Sequence, residues 1–129
     1  MANPPLILII DDDPNFLEIF SVKLTAEGFR VETALNAEEG RTKTVSLKPN
    51  LVLMDVQMPG MNGAEAMMKL KADPATNGVP ILFLTALGDP NVDAREIDRR
   101  FSKEVGAVGY LKKTDDLNTM AEYIRNFVK

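Results

Sequence analysis

Leu51-Val52-Leu53-Met54-Asp55 decides how the rest of the chain is read. An apolar run closed abruptly by a carboxylate is the pattern of a strand buried on both faces that delivers a side chain to the edge of a parallel sheet. The pattern recurs upstream in Ile9-Ile10-Asp11-Asp12-Asp13 and downstream in Ile81-Leu82-Phe83-Leu84-Thr85. A further apolar patch, Val108 to Leu111, runs into Lys112 and Lys113. In open α/β sheets ligands bind outside the carboxyl ends of the strands. Carboxylates, a hydroxyl and an ammonium delivered there predict a cation and phosphoryl site that no single segment could build alone.

Working outward, each run is followed by a helical pattern. Leu6 to Ile10 reads as the first strand, and Asp13-Pro14 opens a helix with Asp13 as N-cap and Pro14 at its first position. Leu17, Phe20 and Leu24 recur at helical spacing, and Gly28 ends that helix. Phe29 to Ala34 is a second, less apolar strand, which suits a place near the sheet edge. Asn36-Ala37-Glu38-Glu39 resembles a capping box, and Pro49-Asn50 ends the helix it opens. After Asp55, the turn-rich Met58-Pro59-Gly60-Met61-Asn62-Gly63 leads to a helix over 64–71 with Ala64, Met67 and Leu70 inward. Pro80 to Thr85 is the fourth strand. Gly88-Asp89-Pro90-Asn91 introduces a fourth helix, on which Ala94, Ile97, Phe101 and Val105 share a face. Ala107 to Leu111 is the fifth strand, and Leu117, Met120, Ile124 and Phe127 mark a last helix running to the terminus. Strict alternation of five strands and five helices predicts an α/β fold, a doubly wound parallel sheet with right-handed crossovers.

Composition narrows the chemistry. At 129 residues, 45% of them apolar, the chain suits one domain with one core. A net charge of −4 argues against direct binding to nucleic acid or to an anionic membrane. No apolar run is long enough to insert in a membrane, and Met1-Ala2-Asn3-Pro4-Pro5 lacks the basic and apolar segments of a signal peptide, so a cytoplasmic location is expected. The chain has neither cysteine nor histidine. Thiolate chemistry, zinc–thiolate sites and imidazole-assisted nucleophiles are therefore excluded, and covalent chemistry falls to a carboxylate, a hydroxyl or a lysine.

Aspartates in a row are most often solvated loop or helix caps, and capping is the better account of Asp13. Asp11 and Asp12 differ, because they follow Ile9-Ile10 directly at a strand end. Bringing them near Asp55 without a cation would raise at least one carboxyl pKa through repulsion and desolvation. A hard divalent ion removes that conflict, and Mg²⁺ suits a site with few carboxylates because it keeps several waters. Thr85 alone could be an ordinary strand residue, and Lys113 alone a surface lysine. At successive strand ends, in this order, the functional account is stronger.

Together these segments resemble a response-regulator receiver domain of two-component signalling, of the single-domain type. The resemblance covers essentially the whole chain. It rests on Asp11 and Asp12 after the first strand, on Asp55-Val56-Gln57-Met58-Pro59-Gly60-Met61-Asn62-Gly63, on Thr85-Ala86 and on Tyr110-Leu111-Lys112-Lys113. It implies a flavodoxin-like sheet of strand order 2-1-3-4-5. It implies Asp55 as phosphoacceptor, with Mg²⁺ held by Asp11, Asp12, Asp55 and the backbone carbonyl of Gln57. Thr85 would bind a phosphoryl oxygen, Lys113 would pair with the phosphoryl group, and Tyr110 would be the aromatic that reorients with Thr85 on activation. Since the chain has no histidine, the phosphohistidine donor would sit on a sensor histidine kinase or a histidine phosphotransfer protein. The signal would pass to a downstream protein target through the face made by the fourth strand, fourth helix, fifth strand and fifth helix. Such a domain is a phosphoacceptor rather than an enzyme, beyond catalysing its own phosphorylation and dephosphorylation. Residues 1–129 are expected to form one receiver domain without an output domain.

The chain departs from the family pattern twice. Thr114 stands where the family lysine is normally followed by a cis-proline, and a non-proline cis bond costs about 2.5–4 kcal/mol, so a trans Lys113–Thr114 peptide is expected. The segment from Leu87 to Val105 is also longer than usual. Two other functions compete. A haloacid-dehalogenase-type phosphatase would use Asp11 and Asp13 as its Asp-x-Asp pair, but it leaves the Asp55 segment unexplained and the chain has no room for a cap. A receiver fold kept purely as a protein-binding module, without phosphorylation, is supported only by Thr114.

Overall fold

The structure, a computed structural model, describes residues 4–55, 63–85, 109–113 and 116–128. Among them the chain alternates as β1 (Leu6–Ile10), α1 (Pro14–Ala26), β2 (Arg30–Ala34), α2 (Ala37–Leu47), β3 (Leu51–Asp55), α3 (Gly63–Ala72), β4 (Ile81–Thr85), β5 (Gly109–Lys112) and α4 (Leu117–Arg125). The helix expected between β4 and β5 lies outside the described residues. All four strand pairings are parallel, and the sheet order is β2-β1-β3-β4-β5. This is the doubly wound, flavodoxin-like sheet expected from the sequence, with β3 at its centre.

The purely apolar runs form the interior of the sheet because both of their faces are covered. Leu51 and Leu53 pack with Ile7, Ile9, Leu82, Leu84 and Leu111 beneath α1 and α4, where Phe20, Leu24, Met120 and Ile124 are buried. Val52 and Met54 point the other way and pack with Leu8, Ile10, Ile81 and Phe83 beneath α2 and α3, which contribute Ala37, Ala66 and Leu70. Each fully buried Leu, Ile or Phe side chain contributes roughly 1.5–3 kcal/mol. The β2 sequence Arg-Val-Glu-Thr-Ala buries only Ala34 completely, in keeping with its edge position.

Local signals fix the element ends. Asp13 caps α1 by accepting from the N–H groups of Asn15 (3.0 Å) and Phe16 (3.3 Å), and Gly28 follows the helix with φ of 96°. Asn36 caps α2 by accepting from Glu39 N (2.8 Å), while the Glu39 carboxylate accepts from Leu35 N (3.4 Å) rather than from the cap residue. The second helix ends on Lys48, in the left-handed conformation at φ 49°, before Pro49 is reached. Asn50 joins β1 to β3 reciprocally: its Oδ1 accepts from Leu6 N and its own N–H donates to Leu6 O, both at 2.8 Å.

Two element ends differ from expectation, and α3 gains a buried residue. Among the described side chains of α3, Leu70 is buried as expected and Ala66 is buried with it, an i, i+4 pair, while the side chains of Ala64 and Met67 lie outside the described set. The last helix stops at Arg125, where Asn126 N–H turns back to Tyr123 O, and Phe127 packs on the core from the following turn. The fifth strand, described over Gly109–Lys112, runs one residue past Leu111, while residues 107 and 108 lie outside the described residues. Among the described residues no helix is long and apolar enough to cross a membrane.

Candidate functional site

Strand register builds the site. Ile10 pairs with Met54, and Asp55 with Leu84, so the residues that close β1 and β3 reach the same level at the carboxyl edge. Thr85 pairs with Lys112 one step further along. Side chains alternate across a sheet, and the alternation sorts the polar residues. Asp11 continues the parity of Ile7 and Ile9, Asp55 that of Leu51 and Leu53, and Lys113 that of Leu111. All these apolar residues belong to the core beneath α1 and α4. Asp11, Asp55 and Lys113 therefore converge over the N-terminal turn of α1.

The distances bear this out. Lys113 Nζ lies 3.2 Å from Asp55 Oδ2, to which it donates a hydrogen bond, and 2.5 Å from Asp11 Oδ2. Asp11 is fully buried and Asp55 is 5% exposed, which leaves the ammonium as a neutralising partner at close range for both. Carboxylate oxygens of Asp11, Asp12 and Asp55 can all lie within 4.8 Å of one another, with Asp12 on the solvent side. Asp11 Oδ1 accepts from Asp13 N (2.9 Å), which joins the acidic pair to the α1 cap. Asp11 N–H donates to Ala34 O (3.0 Å), extending the β1–β2 ladder to the site.

Burial pulls the pKa of Lys113 down, but contact with Asp11 and the charge of Asp55 outweigh burial and hold it above the ordinary lysine value. The ammonium also sits 5.0 Å from the centroid of the Phe16 ring, on α1. Sequence reasoning missed this neighbour, although Phe16 stands one turn after Asp13 on the stripe that carries Leu17 and Phe20.

The residues present fit a hard divalent cation. Three carboxylates against one ammonium leave a formal charge of −2. Asp11 Oδ2 is buried and is held in an ion pair 2.5 Å from Lys113 Nζ. A carboxylate oxygen has more than one lone pair, so Asp11 Oδ2 keeps acceptor capacity beside this contact. The donor set is all oxygen, as Mg²⁺ requires, and one member faces water, as an ion that keeps part of its hydration shell needs.

Of the other residues singled out in the sequence, Thr85 and Tyr110 lie in described strands, but their side chains are outside the described set. Gln57 and the Lys113–Thr114 peptide also lie outside the described residues.

Fold and site together define a family. The model of the response regulator receiver domain matches residues 7–125, and the chain belongs to that family. It is 33% identical over 125 residues to the DNA-binding dual master transcriptional regulator RpaA of Synechocystis, covering 97% of this chain and 49% of RpaA. It is 34% identical over 118 residues to protein PilH of Pseudomonas aeruginosa, covering 92% of this chain and 93% of PilH. A solved structure of the chemotaxis protein CheY4 of Vibrio cholerae superposes with a TM-score of 0.84 at 25% identity, covering 96% of this chain and 98% of that one. The chain thus spans less than half the length of RpaA and nearly all of PilH. Receiver domains are signalling domains of two-component systems, working with histidine kinases and downstream targets, and are not conventional enzymes. Membership leaves the dehalogenase-type phosphatase reading without support.

Proposed function

We propose that residues 1–129 act as one phosphorylatable receiver, in which Asp55 takes a phosphoryl group from a phosphohistidine on a sensor kinase or phosphotransfer protein. The observation that carries this reading is the buried Asp55 carboxylate at the end of the central strand, held against the Lys113 ammonium at 3.2 Å beside Asp11 and Asp12. An Asp55 oxygen attacks phosphorus in line, the new O–P bond forms, and the P–N bond breaks with its electron pair leaving on the imidazole nitrogen. Such transfers depend on positioning and charge compensation more than on acid–base groups. Asp11, Asp12, Asp55 and the Gln57 carbonyl would hold Mg²⁺, which when bound supplies charge neutralisation at the transferred group. Lys113 stays protonated and brings a second positive charge to the same place. Thr85 and Lys113 contact the phosphoryl oxygens, and Thr85 and Tyr110 carry the change outward to the β4–β5 and α4 face, where a protein target reads it.

The test is intact-mass analysis after incubation with acetyl phosphate. One labile phosphoryl adduct is expected, dependent on Mg²⁺ and absent in Asp55→Asn. An adduct that survives Asp55→Asn would move the acceptor elsewhere. No adduct in the wild-type protein would favour a binding module that signals without phosphorylation.

A further inference from the structure

We infer that Phe16 is a positioning residue for Lys113, its ring holding the ammonium at the point where Asp11 and Asp55 share it. The inference rests on the proposed role of Lys113 in phosphoryl transfer. Lysine has a long, freely rotating stem, and Lys113 is followed by Thr114 rather than by a residue that fixes the backbone. The two carboxylates alone do not centre it, because nothing in Coulomb attraction stops an ammonium from collapsing wholly onto the more buried Asp11. Phe16 supplies a third, uncharged contact: its ring centroid lies 5.0 Å from Nζ, within the range of a cation–π interaction.

The ring is itself fixed. Phe16 packs edge-on against Phe20 at 5.3 Å between centroids and 80° between planes, and Phe20 is fully buried. The turn that carries Phe16 is tied to the site, since Asp13 Oδ1 accepts from Phe16 N while Asp13 N donates to Asp11 Oδ1. Phe16, Asp13 and Asp11 are thus one connected support, and Lys113 leans on it from β5. A plain core phenylalanine would need only apolar neighbours and would gain nothing from keeping an ammonium at its ring.

The experiment separates positioning from packing. Phe16→Leu keeps an apolar side chain without a ring, and Phe16→Tyr keeps the ring. In the metal-free protein, NMR of the Lys113 ε-methylene should show a ring-current shift in wild type and Phe16→Tyr that is lost in Phe16→Leu. Phosphorylation by acetyl phosphate in Mg²⁺ should slow about three- to ten-fold in Phe16→Leu, the fold-change that a partly desolvated cation–π contact corresponds to. It should be retained in Phe16→Tyr. In a Lys113→Met background, Phe16→Leu should slow the reaction no further. Equal loss in Leu and Tyr variants, or a Phe16→Leu effect undiminished without Lys113, would overturn the inference in favour of simple packing. If wild-type protein takes no phosphoryl group, the phosphoacceptor reading fails and the Lys113 shift alone decides the role of Phe16. Loss only in Phe16→Leu upholds the contact, and an identical shift in all three proteins refutes it.

Discussion

Lys113 lies closer to Asp11, at 2.5 Å, than to Asp55, at 3.2 Å. The carboxylate nearest the ammonium is therefore the one that closes β1, not the proposed acceptor that closes β3. In the metal-free protein this makes Lys113 a stabilising bridge between the first, third and fifth strands.

A pH dependence follows. Burial lowers the Lys113 pKa and the two carboxylates raise it by more, so the folded value lies above the ordinary 10.5. A group with a raised folded pKa contributes stability that is fully present below the unfolded value and is lost as pH rises through the folded one. Urea midpoints of the metal-free protein should thus fall on the alkaline side of 10.5 more steeply in wild type than in Lys113→Met. Parallel alkaline limbs would show that the bridge contributes nothing.

Neighbouring aspartates are expected to divide two tasks. Asp13→Ala removes the α1 cap and should lower stability by about 0.5–2 kcal/mol, with Mg²⁺ affinity nearly kept. Asp12→Ala removes a carboxylate of the acidic cluster and should weaken Mg²⁺ binding, so that added Mg²⁺ raises the melting temperature less than in wild type. Titration calorimetry with thermal melts of both variants decides the matter, and equal losses of affinity would refute the division.

On the acid side, Glu27 sets a second limb. Hydrogen bonds from Lys23 and Arg125 hold its carboxyl below the usual 4.5. Arg125 Nη2 reaches Glu27 Oε2 at 2.5 Å from α4, and Lys23 also donates to Asn118, so the cluster joins α1 to α4. A depressed folded pKa gives stability that is present above the unfolded value and is lost as pH falls through the folded one. Glu27→Gln should flatten the stability profile below 4.5, measured by urea midpoints, and an unchanged acid limb would remove Glu27 from the account.

Much of this was legible in the sequence because buried parallel strands announce themselves. The runs ending in Asp11, Asp55 and Thr85 specified the sheet, and their ends specified where the acidic cluster forms. Alternation past Leu111 also separated Lys113 from Lys112. What a linear reading missed was contact across elements: the Phe16 ring beside Lys113, and the preference of Lys113 for Asp11. The first depends on how α1 lies on the sheet and the second on how the ends of β1 and β5 approach each other, which no spacing within one segment encodes. Burial of Ala66 beside Leu70 was missed for the same reason.

The last prediction concerns Gly40, which lets α2 lie directly on β1 behind the site. A Cβ at this position would overlap Ile10 Cδ1 and come within 2.6 Å of its Cγ1. Ile10 is fully buried and immediately precedes Asp11, so it cannot yield without disturbing the residue that anchors the cluster. Gly40→Ala gains up to about 1 kcal/mol of helix propensity, but overpacking costs about 1–3 kcal/mol, and a net loss is expected. Ile10→Ala alone opens a cavity and should cost about 2–5 kcal/mol. In the double variant the new methyl group occupies part of the space that Ile10 vacates, so its loss should be smaller than the sum of the two singles. Urea denaturation of the four proteins measures the coupling. Strict additivity would mean that α2 shifts freely to accept the methyl group, and that Gly40 does not hold the first strand in place.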